Sequence, residues 1–239
     1  MRNILLLASF SVFSLFSYAQ NGKVIKDDNA QQRAVKGYHA IRISGGIDLY
    51  LSQGSDETVV VSANDHSRRD KIRTVVEDGV LIISMEPGGS WGIHSNSSMK
   101  AYVSYKVLDA LKASGGSDVY VDGSITTPKL NLSLSGGSDF KGGVAIGDMS
   151  VAQSGGSDVT IKGTVSRLTV DAAGGSDFHG YELVTDNCSI VAAGGSDVHI
   201  TVNKELNVNA SGGSDVTYKG AAVVRDIHTG GSGSVTRKG

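Results

Sequence analysis

The sequence predicts an all-β fold, a parallel β-solenoid with coils of about 19 residues and a less regular β region on its N-terminal side. Three observations predict it. The tetrapeptide Gly-Gly-Ser-Asp begins at Gly115, Gly136, Gly155, Gly174, Gly194 and Gly212, with a degenerate Gly230-Gly231-Ser232-Gly233 at the end, so the steps are 21, 19, 19, 20, 18 and 18 residues. That period is too short for helix-pair repeats and too long for a nonapeptide calcium repeat, but it suits one turn of a β-helix. Apolar and polar residues alternate on both sides of each tetrapeptide. Finally, 32 glycines stand with only two prolines, Pro87 and Pro128, which excludes collagen and proline-rich linkers and assigns the glycines to defined turns.

In chain order, residues 1–19 read as a signal peptide: Arg2 gives a positive start, Ile4 to Phe16 an apolar core and Ser17-Tyr18-Ala19 a small-x-small cleavage site. The apolar core is short for a membrane span, and no later apolar run is long enough to cross a bilayer, so the mature chain is expected to carry no transmembrane segment. Export places the protein in the periplasm, at the cell surface or outside the cell. Residues 20–36 read as a flexible leader. Residues 37–110 read as a divergent solenoid region, in which Ile41 to Leu51 repeat the strand, corner and strand around Gly45-Gly46. Within it Asp78-Gly79 is a hairpin signal, and Gly88 to Lys100 form a Gly/Ser loop carrying Trp91 and His94.

Residues 111–239 are the regular part. Before the glycines, Leu132/Leu134, Val151, Val170/Ala172, Ile190/Ala192 and Val208/Ala210 give an inward face. After the aspartates, Val119/Val121, Phe140, Val159/Ile161, Phe178, Val198/Ile200 and Val216/Tyr218 give a second. Gly123, Gly142-Gly143, Gly163 and Gly220 punctuate the far end of that second strand, and a shorter third side returns the chain. Cys188 falls where other coils place Leu130, Met149, Leu168 and Leu206, which makes it a core residue, and as a single cysteine it forms no internal disulfide.

Ser44-Gly45-Gly46-Ile47-Asp48, the strand pattern through Ser84, the run Ala101-Tyr102-Val103-Ser104-Tyr105 and the Ser-Gly-Gly-Ser-Asp coils together resemble the bacterial GIN domain, the head of auto-transporter adhesins. The resemblance spans residues 36–238. It implies a right-handed β-helix in a cell-envelope protein, and it carries over no catalytic residues.

Net charge is −2, which argues against nucleic acid as an obligatory partner. Chemical potential concentrates in one ladder: Asp118, Asp139, Asp158, Asp177, Asp197 and Asp215 are expected to stack at about 4.8 Å. Like charges at that spacing repel by about 1 kcal/mol per pair in water. The favoured reading is that each carboxylate accepts backbone N–H groups at its glycine corner. The alternative is a calcium ladder on those six aspartates, which would make calcium the one cofactor. His179 and His199 sit at equivalent outward positions one coil apart and read as solvated surface, since two imidazoles alone make a poor metal site. With Trp91 they are the candidate surface contacts. Even spacing of the acids speaks for architecture rather than for an enzyme, whose acids would cluster. The expected function is a non-catalytic scaffold or adhesion module for an envelope, glycan or host-surface partner. A calcium-stabilised surface module is the alternative, and a polysaccharide-active β-helix enzyme is the weakest reading.

Overall fold

The computed structural model describes residues 18–20, 23–25, 27–86 and 98–239. The signal-peptide reading of residues 1–17 and the loop carrying Trp91 and His94 lie outside the described residues. In chain order the strands are β1 (Tyr18–Gln20), β2 (Lys23–Ile25), β3 (Gln31–Arg33), β4 (Ala40–Ser44), β5 (Ile47–Gln53) and β6 (Thr58–Ala63), followed by a short helix α1 (His66–Asp70). Then come β7 (Ile72–Glu77), β8 (Val80–Met85), β9 (Met99–Tyr105), β10 (Ala110–Ser114) and the long strands β11 (Val119–Ser135), β12 (Phe140–Ser154), β13 (Asp158–Ala172), β14 (Asp177–Ala192) and β15 (Asp197–Ala210). The chain closes with β16 (Asp215–Lys219), β17 (Val223–Thr229) and β18 (Ser234–Arg237).

Each regular coil is one glycine corner followed by one long, bent strand, and successive strands pair in parallel. The expected third side is therefore not a separate strand. It is folded within the same strand by register irregularities, such as those between Thr160 and Lys162 and between Gly180 and Val184. Two inward columns run the length of the stack. One is Leu49, Val119, Phe140, Val159, Phe178, Val198, Val216 and Val235; the other is Leu130, Met149, Leu168, Cys188, Leu206 and Val224. Except for the last rung of each, these side chains are buried, and each is worth about 1.5–3 kcal/mol against exposure. Cys188 sits in its predicted column, and burial pushes its thiol up to about 12, so it stays protonated and inert.

At the N-terminal end the stack order departs from chain order. β4 and β5 form a coil around Gly45-Gly46, but β8 and β9 pair outside them, and β10 then pairs with the edge of β4 opposite β8. Antiparallel strands finish this end: β6 pairs β9, β3 pairs β6, and β7 pairs β8 across the turn at Asp78 (φ 49°) and Gly79 (φ 75°). Such pairing covers the open edges that a parallel stack would otherwise present. One expectation changes here. The stretch read as a leader contributes β3, held by the backbone of β6 and by the Arg33 guanidinium, which donates to the carbonyls of Arg69 and Ile72. The short helix α1 is the one helix among the described residues, and its N-cap Asp65 accepts from the Arg68 N–H.

Candidate functional site

The corners form a tight column with two conformations. At Gly115-Gly116 and Gly136-Gly137 both glycines have positive φ, and the Gly116 N–H donates forward to the Gly136 carbonyl at 3.2 Å. From Gly155 to Gly212 only the first glycine does, and the bond reverses: the N–H groups of Gly175, Gly195 and Gly213 donate back to Gly155, Gly174 and Gly194 at 2.8, 2.6 and 2.6 Å, while in the last corner the second glycine, Gly231, takes the positive φ and lies against Gly212. Gln153 is buried in the coil where this change occurs. Its amide donates to the carbonyls of Ser157 and Asp177, both at 2.9 Å, which accounts for a polar side chain in a core column.

The serine of each motif points inward and is fully buried at Ser117, Ser138, Ser157, Ser176, Ser196 and Ser214. In the later corners it closes the turn by donating to the carbonyl three residues back, Ser176 to Ala173 at 3.1 Å and Ser196 to Ala193 at 2.6 Å. In the earlier corners the hydroxyl accepts instead, Ser117 from the Ile47 N–H and Ser138 from the Ser117 N–H, both at 3.1 Å.

Aspartates point outward beside these serines. Their partner is the backbone N–H of the next coil rather than of their own turn: Asp139, Asp158, Asp177 and Asp197 donate to the carboxylates of Asp118, Asp139, Asp158 and Asp177 at 3.1, 3.1, 3.3 and 3.3 Å. Asp48 extends the ladder at its N-terminal end. Burial, then the neighbouring Asp118 charge, raises its carboxyl above the usual range, while Lys100 opposes the shift. Asp215 ends it, accepting from the Ser234 hydroxyl at 2.5 Å. Among the described residues no three His, Cys, Asp or Glu side chains gather where one metal ion could be held.

This geometry gives Asp158 a definite test. Asp158→Ala leaves the Asp177 N–H without its acceptor and is expected to cost about 1 kcal/mol, whereas Asp158→Asn keeps an acceptor oxygen, removes like-charge repulsion, and is expected to hold stability or raise it slightly. Thermal melting with calcium and with chelator checks both readings. A calcium-dependent rise in Tm of the wild type, lost in Asp158→Asn, would assign the ladder to metal.

Two residues further along the strand lies the outward column Tyr102, Tyr50, Tyr120, Lys141, Thr160, His179, His199, Thr217 and Thr236. Its first three rings stack, Tyr102 on Tyr50 at 5.1 Å and Tyr50 on Tyr120 at 5.2 Å. Burial, more than the nearby aspartates, raises the Tyr50 and Tyr120 hydroxyls, which stay protonated. His179 and His199 stand one coil apart as expected, 5.9 Å between ring centroids, and Tyr181 stacks flat on His199 at 5.0 Å. The Lys219 ammonium lies 4.5 Å from the Tyr181 ring centroid.

Between these two aromatic groups the column is thin, and a groove of about 700 Å³ opens over the Lys141 and Thr160 rungs. Tyr120 stands at one end and His179, Tyr181 and His199 at the other, with Lys162 and Glu182 on the walls and Gly142-Gly143 in the floor. A Cβ on Gly142 would meet Val121 Cγ2 at 2.6 Å, and one on Gly143 would meet Ser124 Oγ at 2.5 Å, so close packing keeps both positions bare. Sequence reasoning found His179 and His199 but missed Tyr120, Lys141, Lys162 and Tyr181. The available signal was the run Lys141-Gly142-Gly143, since the coils with Val121, Ile161, Ile200 and Tyr218 carry a bulky side chain at the position of Gly142.

Solved structures with this architecture include a putative adhesin from Bacteroides fragilis, with 16% identity, 87% of this chain and 96% of that one covered, and a TM-score of 0.79. Another is a putative adhesin from Parabacteroides distasonis, with 22% identity, 87% and 96% covered, and a TM-score of 0.69. A third, a putative lipid binding protein from Parabacteroides distasonis, has 18% identity, 89% and 98% covered, and a TM-score of 0.61. At these identities the likeness concerns the fold. No curated protein matches the chain. The family model described as "Putative auto-transporter adhesin, head GIN domain" matches residues 37–222, most of the chain, and the protein belongs to that family.

Proposed function

We propose that the chain is an exported, non-catalytic adhesion module of the cell envelope, a rigid solenoid that presents its outward strand face to a partner. The observation that carries this reading is the groove itself: an open, aromatic-ended cleft held on rigid strands rather than on mobile loops. The corner aspartates support it. They are spread one per coil, and Asp118, Asp139, Asp158 and Asp177 accept backbone N–H groups, which is an architectural use, and Glu182 is the one carboxylate among the described residues lining the groove. Membership of an adhesin-head family and the signal-peptide pattern of residues 1–19 point the same way.

An array of glycans and matrix proteins tests the proposal. The purified chain is expected to be retained on a subset of spots without releasing product from any polysaccharide. Turnover of a polysaccharide, abolished by a single Asp→Ala or Glu→Ala change, would replace this reading with an enzymatic one.

A further inference from the structure

We propose that the groove over the Lys141 and Thr160 rungs binds an acidic polysaccharide, uronate- or sulfate-bearing, laid along the solenoid axis; this rests on the adhesion reading and names its ligand class. Charge is the first argument. The chain as a whole carries a net −2, yet the groove is walled by Lys141 and Lys162 against the single carboxylate Glu182. Two cations of the long strands are neutralised by an acid from the adjacent coil, Arg167 by Asp148 and Lys204 by Asp186, and Arg225 on β17 pairs with Glu205. Lys141 and Lys162 take part in none of the ion pairs of the described residues, although they lie on adjacent strands. Lys162 has Glu182 opposite it on the adjacent strand, whereas Lys141 stands in register only with Tyr120 and Thr160, so the cleft keeps an excess of positive charge for an anion from outside.

Shape is the second argument. Tyr120 has one face covered by Tyr50, and its other side faces the Lys141 rung and lines the groove. At the far end Tyr181 is held flat by His199, with Lys219 at 4.5 Å and Lys238 at 5.4 Å from its ring, which adds positive charge just past the groove. From Tyr120 on β11 to His199 on β15 the groove crosses four coil steps, about 19 Å at the spacing of paired strands. An aromatic face at one end, ammonium groups between and a bare glycine floor suit sugar rings carrying acidic substituents. A membrane surface fits less well. Among the described residues Val107, Val184, Val191, Val223 and Ile227 are the large aliphatic side chains left exposed, and none of them lines the groove to enter a bilayer.

The test is equilibrium binding of the full chain to four probes: polygalacturonate, dextran sulfate, neutral dextran and phosphatidylglycerol vesicles. Polygalacturonate or dextran sulfate is expected to bind and neutral dextran not to. The exposed double change Lys141→Ala with Lys162→Ala should weaken binding about tenfold or more with melting unchanged, while Lys204→Ala, outside the groove, should leave it intact. Glu182→Gln should strengthen it. Binding to neither acidic polymer, or equal binding by the double variant, overturns the proposal, and binding to vesicles alone assigns the groove to lipid. The two readings fail separately. Retention on the array by wild type and double variant alike leaves the adhesion module standing without this groove, whereas release of product from polygalacturonate removes the adhesion reading itself.

Discussion

Replacing Gly194 by alanine is expected to cost about 3 kcal/mol of stability, while the same change one residue later, Gly195→Ala, is expected to cost less than about 0.5 kcal/mol. Both glycines are exposed in the same corner, so neither burial nor side-chain loss distinguishes them. Backbone geometry does. Gly194 has φ of 83°, where an L side chain is strained by about 1–2 kcal/mol, and a Cβ there would lie 2.6 Å from the Gly174 carbonyl oxygen and 3.1 Å from the Gly174 nitrogen. The same oxygen accepts the Gly195 N–H at 2.6 Å, so making room would break the corner-to-corner bond as well. At Gly195 φ is not positive and the nearest atom to a Cβ is that oxygen at 3.8 Å. Urea unfolding of the two variants measures the difference. Equal costs would show that the column tolerates a side chain and that the first glycine is there for some other reason.

The solenoid was legible because its signals are periodic: inward apolar residues every second position, and a corner motif whose serine and glycines recur at each turn. What a period cannot specify is which strand neighbours which. The coil at 40–53 reads as the first of the stack, but β8 and β9, later in the chain, lie outside it, since pairing order is decided by long-range packing. The same limit applied to the aspartate ladder. Local habit points each carboxylate at its own turn, whereas stacking brings the next coil's N–H within 3.1–3.3 Å and that donor is used. The groove was hidden more deeply. It is an absence of bulk on two rungs, bounded by Tyr120 and by side chains some 60 to 80 residues further along the chain, and nothing local marks a gap between distant aromatics. Gly142 and Gly180, the first read as punctuation at the end of a strand, lie within continuous strands and face phenylalanine rings.

Phe178→Ala is expected to cost about 3–5 kcal/mol, since it empties one of the largest fully buried side chains from the centre of the stack. Its partner in that loss is Gly180. In the coils where the inward column carries a buried valine, the position two residues later carries Val121, Ile161, Ile200 or Tyr218; where it carries Phe140 or Phe178, that position is Gly142 or Gly180. Volume is exchanged between the two sites of one strand. A Cβ on Gly180 would fall 2.4 Å from Phe178 Cε1, so Gly180→Ala alone is expected to cost about 1–3 kcal/mol through overpacking. In the Phe178→Ala background that clash is gone, leaving His199 O and Ile200 Cδ1 at 3.0 Å, and the cost of Gly180→Ala should fall by about 1 kcal/mol or more. A double-mutant cycle by urea unfolding reads this directly, and additivity within about 0.5 kcal/mol would show that the glycine serves the backbone rather than the ring. The equivalent cycle at Phe140 and Gly142 should couple less. There the Cβ would still meet Val121 Cγ2 at 2.6 Å after the ring, at 3.1 Å, has been removed.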